Sequence, residues 1–377
     1  MLIYLGFSTV AVFIAALLLA DAGGTSAPAL AHLVFAVGIV PLIFAAIAHF
    51  VPVLTRGRAA PRTVRLLPLL LQLTGVLVFR AFIGQAPANA LAAAAASTAL
   101  LALGFVGWLM CRAKATLGTP HPGWLWYLLA ILFLATALLL VPAMSAWPPL
   151  RPQLRLLHLH LNTLGFIGLS ALGTLQVLLP TALRTPDSAA AGRLRRQLPL
   201  AAGGVLAVGI GAAFWTPAAL VGAAMLLAIT LETAFSWLRR YGGQRLLLDP
   251  AAATLLAALA GFVLLIGLGV AHAFGVLAGD DAVPAFVVAF LLPLVSGALT
   301  QLLPVWYLPG KRTPARDRMH SALRAGGVLR ALLFVVGGVL LALGIADALW
   351  LAAVATLSFA VAILRSLLRA REERAPS

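Results

Sequence analysis

The chain is a succession of long, unbroken apolar runs joined by short links that carry the arginines. The runs fall at 2-20, 30-54, 64-84, 89-111, 124-145, 157-181, 195-215, 217-239, 251-275, 283-306, 322-345 and 347-369. Most approach or exceed the roughly 20 residues a helix needs to cross a hydrocarbon core about 30 Å thick. They are rich in Leu and Ala and do not alternate, so they read as helices rather than barrel strands. Charged residues make up 10% of the chain, against about 25% in soluble domains, and no soluble fold could hide so much apolar surface. The expected fold class is an all-α polytopic membrane protein of about 12 transmembrane helices, forming a single membrane domain over 1-377 in contact with the lipid bilayer.

The formal net charge of +16 would suggest a nucleic-acid partner if the basic residues were clustered on one surface. They lie instead in alternate links: Arg56 to Arg65, Arg112 and Lys114, Arg184 to Arg196, Arg239 to Arg245, Lys311 to Arg324, and Arg365 to Arg374. The other links hold only Arg80, Arg151 and Arg155. This asymmetry orients a membrane protein with its basic loops inside. It predicts a bacterial inner-membrane protein with both termini cytoplasmic and no nucleic-acid partner. The first run lacks a basic leader and reads as a retained helix rather than a cleaved signal peptide. The single cysteine, Cys111, excludes an internal disulfide and a thiolate cluster, and there is no C-x-x-C-H for covalent haem.

Three segments resemble one another. They begin near His32, His160 and Pro284 and place Pro52, Pro180 and Pro304 at one register, with Ala45, Gly173 and Gly297 seven residues earlier. A Gly-Val-Leu follows each, at Gly75, Gly204 and Gly327. The period is about 125 residues, or four helices. Repeats over about 30-145, 157-275 and 283-369, the last completed by the helix at 2-20, predict three pseudo-symmetric four-helix arcs.

Histidine is costly inside a membrane and is often functional there. His49, His121 and His320 fall at the basic ends of their helices and read as interfacial. His32, His158, His160 and His272 fall at the other ends, of the second, sixth and ninth helices. His32 and His160 share one register, each twenty residues before its proline. Residues two apart on a helix point about 200° from each other, so His158 and His160 serve two different clefts. Neutral imidazole suits iron, copper and zinc, and a pair from facing helices forms an axial set for b-type haem. His32, His158, His160 and His272 are therefore the candidate cofactor and metal ligands. Arg151 and Arg155, just ahead of His158, are candidate partners for haem propionates; Arg80 is another, or snorkels to the interface. Glu232, the one acid well inside a span, is expected to pair with Arg239 or Arg240, and Gln176 and Gln301 to bond between helices.

His158-Leu-His160, Asn162-Thr-Leu-Gly165-Phe, Gly173 and Pro180 together resemble the H-x-H-x3-4-G helix of the catalytic subunit of cbb-type haem-copper oxidases. In that family the helix gives one histidine to each of two haems, within twelve helices arranged as three arcs and with the metals near the outer side. His32 resembles the other low-spin haem ligand. The chain is also similar in size and histidine content to the NnrS family, haem-and-copper membrane proteins linked to nitric oxide. The resemblance implies haem b, with copper as a second cofactor, and electron transfer, gas response or metal handling with a redox partner protein or a diatomic gas. It departs in two places. The H-x-H lies in the sixth helix rather than the tenth, which has Pro284 at the equivalent point. The histidine-tyrosine and His-His elements of the copper site have no counterpart, which argues against oxygen reduction. Two other classes stay open: a transporter of a small or hydrophobic molecule with helix breaks at Pro41 and Pro293, and a non-catalytic assembly subunit.

Overall fold

The computed structural model describes residues 1–87, 89–277 and 282–372. It is 86% helical and has no strand among those residues; Arg374, at the end of the last basic cluster, lies outside them. Twelve described helices are long and apolar enough to cross a membrane: α1 (Leu2–Ala22), α2 (Ala27–Leu54), α3 (Arg62–Phe82), α4 (Ala90–Lys114), α5 (Gly123–Ala146), α6 (Pro148–Ala182), α7 (Ala190–Phe214), α8 (Thr216–Tyr241), α9 (Pro250–Ala273), α10 (Ala282–Tyr307), α11 (Pro314–Ala342) and α12 (Ala346–Arg369). Their exposed side chains include Leu73, Leu100, Phe235, Leu332 and Val354, the surface that lipid solvates. The chain is an integral membrane protein.

Two helices begin well ahead of their apolar runs. α6 starts at Pro148 through a short 3₁₀ turn, Pro148–Leu150, and continues from Arg151. α11 starts at Pro314, where Thr313 caps it by accepting from Arg316 N at 3.3 Å. Proline in the first turn and a capping hydroxyl start a helix whatever follows. Hydropathy marks only the part that enters hydrocarbon.

The contacts divide the chain into two compact units. The first is Met1–Gln176 with Ser188–Ile229; the second is Val177–Asp187 with the chain from Thr230 onward.

In the first unit, α2 lies between α1 and α3, and α6 between α5 and α7. Both central helices widen into a π-helical stretch, Leu33–Ile39 in α2 and Leu161–Gly168 in α6. In α2 the stretch runs into Pro41, which has no N–H to return to the preceding carbonyls. The neighbours supply donors instead. Gln72 Nε2 on α3 donates to Val37 O at 3.2 Å and to Ser8 Oγ at 2.6 Å. Thr9 Oγ1 on α1 donates to Gly38 O at 3.1 Å or to its own Leu5 O at 2.8 Å. Gly75 lies so close to the Ala36 carbonyl that a Cβ there would overlap it. In α6, Gly173 meets Trp126 of α5, where a Cβ would fall 2.8 Å from the tryptophan Cβ. Trp126 Nε1 in turn donates to Leu194 O of α7 at 3.0 Å. Nearer the basic ends, Arg193 Nε donates to Gln176 Oε1 (2.8 Å), Gln176 Nε2 to Gln197 Oε1 (2.8 Å) and Gln197 Nε2 to Ile229 O (3.1 Å). Gln176 is thus the interhelical bond expected of it.

In the second unit, α10 lies between α9 and α11. It carries a π-helical stretch at Val287–Leu291, followed by Pro293. Gly261 of α9 packs onto the Ala289 carbonyl, and Gly338 of α11 onto the same residue from another helix. Gln301 differs from expectation: its Nε2 is buried without a hydrogen-bond partner among the described residues. Asp249 caps α9, accepting from Ala251 N at 3.0 Å and Ala252 N at 3.1 Å, and pairs with Arg324. Arg240 reaches Asp187 at 3.9 Å, and Arg239 lies over the Phe235 ring.

Two predictions follow from this packing. Gly261→Ala is expected to lower the melting temperature in detergent, by about 1–3 kcal/mol of stability, because overpacking must push α9 from α10. Gly267→Ala, on the same helix with open space around it, should be neutral or stabilising by up to ~1 kcal/mol. Equal melting temperatures for the two variants would refute the close approach.

The second concerns His121, in the link before α5. Its backbone N donates to Leu54 O at 3.0 Å, and its Nδ1 accepts from Gly123 N at 3.2 Å. Burial, and then the Arg195 charge, hold its pKa below the ordinary 6.5. The unfolded chain therefore takes up this proton first on acidification. The histidine's contribution is complete above the unfolded pKa and is lost as pH falls through it. Melting curves from about pH 8 to about pH 5 should fall less steeply for His121→Gln than for the natural chain; identical slopes would remove His121 from the account.

Candidate functional site

The α2 helix opens at Ala27 with Pro28 in its first turn, and His32 follows one turn later. His32 Nδ1 lies 2.7 Å from Pro28 O. His158, in α6, places Nδ1 2.8 Å from Ala137 O on α5. A carbonyl oxygen can only accept, so Nδ1 carries the hydrogen in both rings and the neutral imidazole bears its lone pair on Nε2. This is the tautomer of a histidine prepared to bind a metal through Nε2, with the opposite nitrogen anchored to the backbone. His32 and His158 both belong to the first unit. The His32 ring stacks on Phe82, the last residue of α3, with centroids 4.3 Å apart and planes inclined by 26°.

His160 is anchored in the same way, Nδ1 to Leu156 O at 2.8 Å, within its own helix. It stands on the α7 side of α6: a Cβ on Gly209 would lie 3.8 Å from the His160 Cβ. The H-x-H pair thus divides, with His158 bonded toward α5 and His160 beside α7. His272, in the last turn of α9 in the second unit, has Nδ1 3.0 Å from Leu277 O. All four candidate histidines therefore share one anchored tautomer. Among the described residues, however, no group of three or more His, Cys, Asp or Glu side chains could hold a metal ion.

Arg155 precedes His158 by three residues and Arg151 by seven, so helical periodicity puts both on His158's side of α6. Both are exposed. Further along the unit, Phe44 of α2 meets Phe105 of α4 at 4.9 Å and Phe166 of α6 at 5.9 Å. These fully buried rings make an apolar core beneath the histidines' level. Phe82 and the Ala137 carbonyl are parts of the site that the sequence does not announce. One is an ordinary apolar residue at a helix end, and the other is a backbone atom.

The donor set fits one kind of group better than another. A closed zinc or copper site takes three or four protein ligands. A porphyrin brings its own equatorial nitrogens and asks the protein for one or two axial ones. Two anchored imidazoles from different helices, with apolar walls and arginines nearby, suit the second.

Comparison of the chain with family models, with curated proteins and with solved structures gives no match.

Proposed function

We propose that this protein binds b-type haem in the membrane, that His32 and His158 would hold it, and that it serves electron transfer or the response to a diatomic gas. The observation that carries the reading is that two imidazoles on different helices of the first unit each have Nδ1–H anchored to a backbone carbonyl. Haem would supply one-electron redox chemistry and an affinity for gases such as nitric oxide. The chain's own part is to fix both rings, exclude water with apolar side chains, and offer Arg151 and Arg155 to carboxylates. His160, beside α7, would serve a separate cleft, for a second haem or a copper. The resemblance to haem-copper oxidase subunits and the NnrS family supports the same reading, and the arginine distribution supports an inner-membrane location with cytoplasmic termini.

A transporter built on the breaks at Pro41 and Pro293 is less well supported. The carbonyls around the first break receive Gln72 and Thr9, and the Ala289 carbonyl before the second is covered by Gly261. Backbone that coordinates a solute has to be left open to it.

The test is an absorption spectrum of the detergent-purified protein, oxidised and dithionite-reduced, with iron and copper analysis of the same sample. Sharp reduced bands of low-spin b haem are expected. His32→Ala and His158→Ala should each abolish that low-spin signature, while His160→Ala should retain it. A colourless protein from haem-replete cells would overturn the proposal, and unchanged spectra in both alanine variants would overturn the ligand pair. Arg151→Ala with Arg155→Ala should weaken haem retention by no more than about fivefold, as exposed ion pairs do, measured by haem transfer to an acceptor protein.

A further inference from the structure

From residue 22 to residue 186 the sequence holds no Asp or Glu, so cations in that stretch have no acid nearby in sequence to neutralise them. One corner of the first unit collects six of them. Arg56 and Arg58 lie in the link between α2 and α3, Arg62 and Arg65 in the first turn of α3, and Arg112 and Lys114 in the last turn of α4. α4 packs against α3, with Thr98 Oγ1 donating to Thr74 Oγ1 at 2.9 Å. Arg112 donates across to the link at Arg58 O, and a Cβ on Gly57 would collide with its guanidinium.

Two donors in this corner are unspent. Arg112 Nε and Trp108 Nε1 are both enclosed, and neither has a hydrogen-bond partner among the described residues. Enclosed N–H groups nearly always have an acceptor. Residues four apart share a helix face and lie about 6 Å apart along its axis. Trp108 therefore stands one turn further into the span than Arg112, and the pair asks for two acceptors at two depths. The ground beside them is apolar and open. Gly104 and Gly107 have free space where a side chain would be. On α3, exposed Leu66, Leu70 and Leu73 follow exposed Arg62 at helical spacing.

We infer that an anionic phospholipid docks at this corner, with its phosphate on Arg112 Nε and the Arg62 and Arg65 guanidiniums and a glycerol ester carbonyl on Trp108 Nε1. Guanidinium groups match phosphate oxygens, and clusters of arginine and lysine at the ends of membrane helices attract anionic headgroups. Tryptophan belongs at this level, where its ring is in an apolar setting and its N–H meets a polar one. The two depths choose the ligand. A glycerophospholipid carries acceptors in succession, phosphate first and ester carbonyls one step deeper, and its acyl chains continue along the exposed leucines of α3. Free phosphate offers acceptors at one depth only and gains nothing from the leucines.

The experiment is native mass spectrometry of the full chain in detergent, titrated with phosphatidylglycerol, phosphatidylcholine or inorganic phosphate. The natural chain is expected to retain phosphatidylglycerol in preference to phosphatidylcholine. Arg62→Gln should weaken that binding about fivefold. Trp108→Phe, which keeps the ring and removes only the N–H, should weaken it about threefold. Arg312→Gln, in the second unit and bonded to Asp317 at 2.7 Å, should leave it unchanged. Arg62 is exposed and Trp108→Phe preserves the packing surface, so both variants are expected to fold. Equal retention of the two lipids by the natural chain would overturn the site. Weaker binding in Arg62→Gln with none lost in Trp108→Phe would also overturn it and leave a diffuse basic surface. Displacement of the lipid by inorganic phosphate at similar concentration would overturn the lipid assignment.

Discussion

Every backbone polar group inside a bilayer must find a partner within the protein, and the places where helices cannot satisfy themselves organise this structure. The π-helical stretches of α2 and α10 each meet a proline, and carbonyls fall out of the helical ladder on its N-terminal side. Around Pro41 the solution is polar: Gln72 and Thr9 reach across from the two flanking helices. Around Pro293 the flanking helices bring glycines rather than polar side chains: Gly261 packs onto the Ala289 carbonyl and Gly338 onto the same residue. Either way the central helix is held from both sides, by side-chain donors around Pro41 and by glycines whose missing Cβ allows the close approach around Pro293.

The same constraint acts on the histidines. An imidazole in an apolar setting must place its N–H somewhere, and in His32, His158, His160 and His272 alike it goes to a backbone carbonyl. That bond fixes the tautomer and the ring plane before any ligand arrives. In His32 and His158 the cost of placing a polar ring among apolar side chains is met on Nδ1, and Nε2 carries the lone pair. A ring so held loses little freedom on binding, which is how preorganised ligands gain affinity.

The membrane helices were legible because hydropathy and helix length are both set by the bilayer. Their beginnings were less so: α6 and α11 start in the polar stretches at Pro148 and Pro314, where prolines and a threonine cap, not apolar periodicity, determine the first turn. The register shared by Pro52, Pro180 and Pro304 can be read directly. The π-helical stretches that begin nineteen, nineteen and seventeen residues ahead of them cannot, because a π turn has no composition of its own. The four histidines could be named from their place at the arginine-poor helix ends. Which member of H-x-H faces α5 and which α7 could not. Two residues on a helix diverge by a known angle, but the absolute direction depends on where α5 and α7 pack, which is decided by contacts such as Gly173 on Trp126 and Trp126 on Leu194.

This division of H-x-H also bears on how many functions one helix can hold. Ligands on one face, three or four residues apart, converge on a single ion, as in a closed metal site. Residues two apart on a helix diverge, so under the proposed reading α6 would be a wall between two clefts and offer one imidazole to each. On that logic His158, toward α5, needs a partner from a different helix, and His32 meets the requirement within the same unit. A single ion bound by two imidazoles would be left to find its remaining ligands among apolar side chains. A planar group that carries its own equatorial donors has no such need, and its apolar faces and edges match the leucines, alanines and phenylalanines that the bilayer already requires of these helices.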